Sequence, residues 1–453
     1  MDYSGSHKRI VVLGGGFAGA YAVRRLSRML PKGWEVTLID KNNFLLFYPL
    51  LVEAGVGSIE PRHVVVPLRD FVRDQDFRMA EVTSVDLKNQ QVHFKVVGGI
   101  REEPLHYDHL VFALGSVTKF PPIPGLKEHA FQLKSLADSI SLRDRAIRLL
   151  ELANTVEDPE ERKALLRIVV VGANFTGIEL AGEYQDFLTD AYRSYRNIRR
   201  SDLSLVVLEL SDRILPALEP DLAAYADRHL RSRGLDIRTG TSIKQLSHDE
   251  ALLTNGERLR TYTCVWAAGI APNPLVDSVE GLPREKGWIG CGPDMRVKGF
   301  ENVWAAGDLA HIERANGKSY AATAQNASRE GTALANNLLR VIGSQPTLPF
   351  EYEDSGSLAA LGCRTAVAKV FGFNLSGFFA WWLYRTAYIL KMPSWSRRFR
   401  IIMDWTIDLF FRRDVVQLGV HDINVGRQYV PIKEPPLDGV DGKRKKQTDA
   451  NLL

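Results

Sequence analysis

The chain has 453 residues, of which 45% are hydrophobic and 25% charged, with 58 Lys/Arg against 54 Asp/Glu and a net charge of +4. That length accommodates two or three domains with cores of their own, and the composition is that of a globular protein, neither disordered nor fully membrane-embedded. So mild a charge leaves no electrostatic footprint for nucleic acid, and no nucleic-acid partner is expected. The three cysteines, Cys264, Cys291 and Cys363, lie far apart without a CxxC. This spacing disfavours a disulfide framework, a metal site and a dithiol relay, and points to a reducing compartment. A strand is predicted within about ten residues of Met1, which leaves no room for a signal peptide and sets the expectation of a cytoplasm-facing body.

The first predicted unit opens with RIVVLGGGFAGAYAVRRL. Ile10–Leu13 has the continuous apolar character of a buried parallel strand, and Ala20–Leu26 begins a helix. Gly14, Gly16 and Gly19 between them have G-x-G-x-x-G spacing. The first glycine permits the tight turn, the second admits a pyrophosphate to the backbone, and the third lets helix and strand pack closely. The phosphates then meet the positive end of the helix. A second strand, EVTLID, ends in Asp40, where a carboxylate accepts hydrogen bonds from an adenosine ribose.

A charged stretch from Phe131 to Arg167 is predicted helical and joins this unit to a repeat, with no chemistry evident in it. The repeat is RIVVVGANFTGIELAGEY, with Gly172 and Gly177 around a turn, and LSLVVLEL ending in Glu209 as its second strand. The units close on similar strand ends, HLVFALGS at Gly115 and CVWAAGIAPN at Gly269. Two such units imply two nucleotides side by side, and flavin with nicotinamide is the natural pair for hydride transfer. Asn174 stands where the middle glycine belongs; it tolerates unusual backbone angles, yet its side chain would occupy pyrophosphate space. A repeat that keeps the fold but binds nicotinamide weakly therefore stays open. Glu209 favours the free 2′-hydroxyl of NADH over the 2′-phosphate of NADPH, partly offset by Arg213.

Val370–Tyr384 runs 15 residues without a charge, short of a membrane span. In the next segment Phe399, Ile402, Met403, Thr406, Leu409 and Phe410 share one helical face. Arg397, Arg400, Asp404, Asp408 and Arg412 share the other, with Ile401 and Phe411 interrupting the division. Seven Lys/Arg against three Asp between Arg385 and Asp414, with Trp381, Trp382, Trp395 and Trp405, suggest helices lying in the interface of an anionic bilayer. A dimer interface or a domain-covering helix is the alternative. The basic GKRKK near the end is either a surface-brushing tail or disordered.

VTLIDKNNFLLFYPLL, VWAAGI, VWAAGDLAHI and ATAQNAS, in this order and followed by that C-terminal segment, resemble the type II NADH dehydrogenases, single-subunit NADH:quinone oxidoreductases. The resemblance covers nearly the whole chain. It implies an α/β fold with two Rossmann-like dinucleotide-binding domains and a C-terminal amphipathic helical membrane-binding region. The implied division is 1–125 and 294–350 for FAD, 126–167 as a helical linker, 168–293 for NADH, and 351–453 for membrane association and tail. Non-covalent FAD would be held by Gly14, Gly16, Phe17, Ala18, Gly19, Asp40, Lys41, Ala113, Gly115, Gly307, Asp308, Ala324 and Gln325. NADH would be held by Gly172, Asn174, Gly177, Glu179, Glu209 and Gly269.

Glu179 matches the family glutamate beside the nicotinamide–flavin stack, and it is also a carboxylate that a helix N-terminus favours. Gln325 would face the quinone, able to donate to or accept from it without becoming charged. Ala321, Ala322 and Ala324 would let the backbone approach the flavin, and Tyr48 and Pro49 would help wall the pocket. Arg329 and Glu330 replace the family's further glutamines and leave the quinone type open. The expected partners are a membrane quinone, an anionic bilayer at the cytoplasmic face of the cell membrane, and a possible second copy in a homodimer. Two alternatives remain: a sulfide:quinone reductase, poorly served by three scattered cysteines, and a slow flavin redox sensor.

Overall fold

The computed structural model describes residues 8–73, 75–314, 319–353, 356–370 and 372–419; the basic run at 442–446 lies outside them. β1 (Lys8–Leu13) enters α1 (Phe17–Met29) and then β2 (Trp34–Asp40). A short α2 (Leu51–Gly55) precedes an antiparallel meander, β3 (Asp76–Asp86), β4 (Gln91–Val96) and β5 (Glu102–His106), and then β6 (His109–Phe112). The connector carries α3 (Leu136–Thr155). The repeat consists of β7 (Arg167–Val171), α4 (Phe175–Ala191), β8 (Ser204–Leu208), β9 (Asp236–Arg238) and β10 (Thr263–Trp266). β11 (Val303–Ala305) and α5 (Ala324–Ile342) follow. The C-terminal part holds β12 (Gly356–Ala360), β13 (Ala366–Val370), β14 (Phe373–Gly377), α6 (Phe378–Lys391) and α7 (Trp395–Phe410).

The first sheet has the order β11-β6-β1-β2-β3-β4-β5, and the second β9-β8-β7-β10. β1 lies parallel between β2 and β6, with Leu13 opposite Ile39 and Phe112; β7 lies parallel between β8 and β10, with Val171 opposite Leu208 and Trp266. Each unit thus has a switch point beyond the carboxyl end of its central strand, the position at which open α/β sheets bind ligands. The valine-rich strands are covered on both faces, which explains their lack of alternation. Each fully buried Leu or Ile there contributes roughly 1.5–3 kcal/mol.

The connector is more than a linker. Ser135 and Asp138 form a reciprocal capping box that starts α3. Leu142, Ile147, Leu149 and Leu150 then share one core with Leu180, Tyr184 and Phe187 of α4 and with Val52 and Val56. The C-terminal part also differs from the expectation of helices alone. The uncharged run divides between the sheet β12-β13-β14 and α6, because β13 and β14 pair along their whole length. This sheet docks on α4 at Gly182, where any Cβ would stand 2.5 Å from the Leu361 carbonyl oxygen.

α7 seats itself with Ile401, one of the two residues that interrupted its predicted division, and with Trp405, while Phe411, the other, lies exposed. Ile401 is fully buried and Trp405 nearly so. Asp404, assigned to the polar face, turns inward to His63 at 2.5 Å. Trp381 and Trp405 do not sit at a headgroup level: both rings stack on the guanidinium of Arg385, 4.1 and 4.5 Å from its carbon. Trp382 and Trp395 do lie exposed, with Phe399, Ile402, Met403, Leu409 and Phe410. Among the described residues no helix is long and apolar enough to cross a membrane.

Candidate active site

The two cradles are built alike. Gly14 and Gly172 both have φ of +102°, and a Cβ on Gly14 would meet the Ala113 carbonyl oxygen at 2.3 Å, so only glycine makes these turns. Asp40 accepts from the Gly15 amide at 2.6 Å and from Asn42 at 2.7 Å; Glu209 accepts from Ala173 at 2.7 Å and from Ser211 at 2.9 Å. Each carboxylate holds its phosphate turn in shape while keeping lone pairs for a ribose. A Cβ on Gly16 would meet nothing within 4 Å, which leaves the start of α1 open to a pyrophosphate. Phe17 and Ala18 are buried behind it, whereas Lys41 is exposed and its charge favours the ionised form of Asp40. Gly115 and Gly269 turn the ends of the closing strands at φ of +68° and +76°.

Asn174 does not need an unusual backbone. Its φ is −75°, and it caps α4, accepting from the Gly177 amide at 3.1 Å and donating to the Ala267 carbonyl at 2.7 Å. The side chain is folded onto the helix end and caps it. Arg213 bonds the Pro216 carbonyl at the surface.

The far wall of the flavin cradle comes from two other segments. The Gly307 amide donates to Glu330 at 2.6 Å. Asp308 accepts from the Ser116 hydroxyl at 2.7 Å, and Ser116 in turn accepts from Lys134 at 2.9 Å. A cavity of about 490 Å³ opens over Gly307, Asp308, Trp288, Thr323 and Glu330, within the usual range of cofactor sites. Glycine turns, open helix end and waiting carboxylates together fit an adenine dinucleotide with its pyrophosphate. Glu330, one of the two residues that leave the quinone type open, turns to the Gly307 amide, and burial pushes it up to about 7.

Glu179, in the first turns of α4, accepts from the Ala360 amide at 3.2 Å and is bonded to Tyr384. Part of its side chain stays accessible, but loss of solvation and the nearby carboxylates Glu53 and Glu183 push it up to about 8. Its surroundings therefore favour the protonated carboxyl. Tyr384 also donates to the Pro49 carbonyl at 3.2 Å and packs edge-on to Tyr388, 4.6 Å between ring centres. Lys391 lies over Tyr388 and donates to Gln325 at 2.6 Å. The expected residues Glu179, Pro49 and Gln325 are thus joined through α6, a segment read from sequence as lying in the bilayer interface. Tyr48 stands slightly apart, 41% exposed, beneath Lys134. Arg329 packs on the ring of Tyr352, 4.1 Å away, and supports Gln325 from behind.

Lys134, Glu53, Tyr384 and Lys391 were all missed. Only Lys391, a cation ending an apolar helix, carried a local hint. Lys134 meets Asp308 from 174 residues away, and Glu53 and Tyr384 find partners more than 300 residues off, so packing alone brings these groups in.

Residues 8–331 match the model of the pyridine nucleotide-disulphide oxidoreductase family, and residues 355–414 that of the NDH2 C-terminal domain. A probable NADH dehydrogenase of Dictyostelium discoideum is 31% identical over 90% of this chain and 91% of its own length. A type II NADH:quinone oxidoreductase of Staphylococcus aureus is 31% identical over 82% of this chain and 91% of its own length. The solved structure of NDH2 from Plasmodium falciparum in complex with NADH superposes with a TM-score of 0.85 at 21% identity, covering 90% of this chain and all of that one, which establishes the shared fold. With both cradles, the bridging helix and the C-terminal sheet accounted for, the chain belongs to the pyridine nucleotide-disulphide oxidoreductase family, in its type II NADH dehydrogenase branch.

Proposed function

We propose that this protein is a non-pumping, FAD-dependent NADH:quinone oxidoreductase that works on a membrane surface. The reaction takes up NADH, one proton and a quinone and yields NAD⁺ and the quinol. The observation that carries the reading is the union of two dinucleotide cradles around Glu179 with an acceptor corner at Gln325 and Lys391. Relatives named type II NADH:quinone oxidoreductase and NADH-ubiquinone oxidoreductase support it. When bound, FAD supplies the two-electron exchange between the nicotinamide and the quinone.

The chain's own residues do the rest. Gly14, Gly16 and Asp40 hold the adenosine and pyrophosphate of the flavin, with Phe17, Ala18, Ala113 and Gly115 shaping the turn and Lys41 at its rim. Gly307 and Asp308 hold the ribityl region, and Ala324 brings the start of α5 against it. Gly172, Gly177, Gly269 and Glu209 orient NADH. Glu179 keeps a proton on its carboxyl beside the nicotinamide, and Gln325, steadied by Lys391, binds a quinone carbonyl.

A lipid-soluble acceptor explains the surface around α6 and α7. Phe378, Phe379, Trp382, Trp395, Phe399 and Phe410 are exposed on α6 and α7, two helices that also carry Arg385, Lys391, Arg397, Arg398 and Arg400, a combination suited to an anionic bilayer. The favoured face is the cytoplasmic one, where NADH is available. A homodimer that leaves these side chains free is compatible with the reading. The sulfide:quinone alternative is weaker: Cys264 and Cys291 are free and buried, and burial pushes the Cys264 thiol up to about 12.

The test is direct. Purified protein should carry FAD, bleach on anaerobic addition of NADH, and recolour with a soluble quinone. A colourless protein, or a yellow one that NADH leaves oxidised, would remove the proposal.

A further inference from the structure

Glu53, on α2, is 4% exposed and sits between the flavin-side machinery and the surface helices. Its carboxylate accepts from the indole N–H of Trp405 on α7 at 2.6 Å, and Arg385 of α6 stands 3.9 Å away. Arg385 is itself held between the rings of Trp381 and Trp405. One small cluster therefore joins α2, α6 and α7. The other charged groups around it are Glu179 and Glu183 of α4, Arg413 beyond α7, and Arg143 of α3 against Gly57. Arg413 is committed to Glu183 at 3.0 Å and to Asp408 at 3.3 Å, and Asp404 to His63. Glu53 is thus the carboxylate whose partners come from the surface helices, and it neighbours Glu179: Val52 of α2 shares a core with Leu180 of α4, and Tyr384, bonded to Glu179, donates to the Pro49 carbonyl just before α2.

We propose that Glu53 is a positioning residue for the reaction: held by Trp405 and Arg385, it sets the charge against which Glu179 gains and loses its proton, and so ties proton handling at the nicotinamide side to the seating of α7. The inference rests on the role given to Glu179 above. Physically, a negative Glu53 disfavours a negative Glu179 in a poorly solvated interior. Burial raises Glu53 to about 7, against the opposing pull of Arg385 and Trp405, so its charge responds to how well α7 is seated. Any disturbance that loosens Trp405 leaves Glu53 more readily protonated, and Glu179 then ionises more easily.

The test uses the FAD-loaded protein. The protonated-carboxyl band of Glu179, identified by its loss in Glu179→Gln, is titrated by infrared difference spectroscopy, alongside the pH profile of flavin reduction by NADH. Glu53→Gln removes the charge and should lower the midpoint of the band and of the kinetic limb by about half a unit or more. Trp405→Phe keeps Glu53 and should move both in the same direction by less, which decides the matter if Glu53→Gln does not fold. A merely structural role would lower rates at every pH and leave the midpoint in place. An unmoved midpoint in a folded, NADH-reducible variant overturns the inference. An unmutated protein that binds FAD but is not reduced by NADH defeats the functional reading instead.

Discussion

Lys391, at the end of α6, donates to the side-chain oxygen of Gln325 at the start of α5, 2.6 Å away. A lysine can only donate, so the amide oxygen of Gln325 must face it, and the amide nitrogen then donates to Tyr352 at 2.5 Å. Both ends of the amide are fixed by groups from other segments. Loss of solvation and Arg329 hold Lys391 below its usual range.

Lys391→Met should therefore weaken the acceptor site alone. The KM for quinone is expected to rise about tenfold, equivalent to about 1.4 kcal/mol. Stopped-flow reduction of the flavin by NADH should be unchanged. An unaltered KM, or an equal loss in both half-reactions, would separate this contact from quinone binding.

Glu209 orders its turn through Ala173 and Ser211 while presenting charge toward the ribose. Glu209→Gln retains an oxygen acceptor but loses that charge. The preference for NADH over NADPH in kcat/KM is expected to fall about tenfold, mainly through a gain for NADPH. Steady-state assays with each cofactor measure the ratio, and an unchanged preference would exclude Glu209 as its source.

Burial raises Glu330 to about 7 from an ordinary 4.5. A raised carboxyl stabilises the fold fully at pH below its unfolded value, and that stability is lost as pH rises through about 7. Glu330→Gln lacks this loss. Relative to the unmutated protein, the variant should gain on the order of 3 kcal/mol between pH 5 and pH 9, read as denaturant midpoints at each pH. A gap between the two that stays constant with pH would show that Glu330 does not titrate in this range.

Deleting everything after Lys369 is a poor test of membrane docking, since it strips β14 from its sheet and Tyr384 from Glu179. Exposed side chains offer a cleaner one. Replacing Phe399, Ile402 and Phe410 together by Ser should lower co-sedimentation with anionic vesicles at least about tenfold, given roughly 1.5–3 kcal/mol per buried large apolar side chain. The soluble-quinone activity should persist. Undiminished vesicle binding by the folded variant would assign this face to another use.

The cradles were legible because their constraints are local. A glycine at positive φ, a run of valines and an acid at the second strand end act within one strand-turn-helix, so their spacing is written in adjacent residues. For the same reason the repeat at Gly172 could be found from the first unit, and the resemblance of ordered motifs carried the rest of the cofactor assignments.

What required the tertiary structure were pairings whose partners lie far apart in the chain. No spacing rule joins Glu53 to Trp405, Ser116 to Asp308, or Gln325 to Lys391. Helical periodicity likewise could not say which side of α7 meets the body, because an amphipathic helix docks wherever shape and hydrogen bonds allow. Ile401 and Trp405 provide that fit, and the larger apolar face is left outward. Sequence fixes periodicity and turn chemistry through neighbours in the chain; burial, and with it the protonation of Glu179 and Glu330, depends on what folding brings around each group.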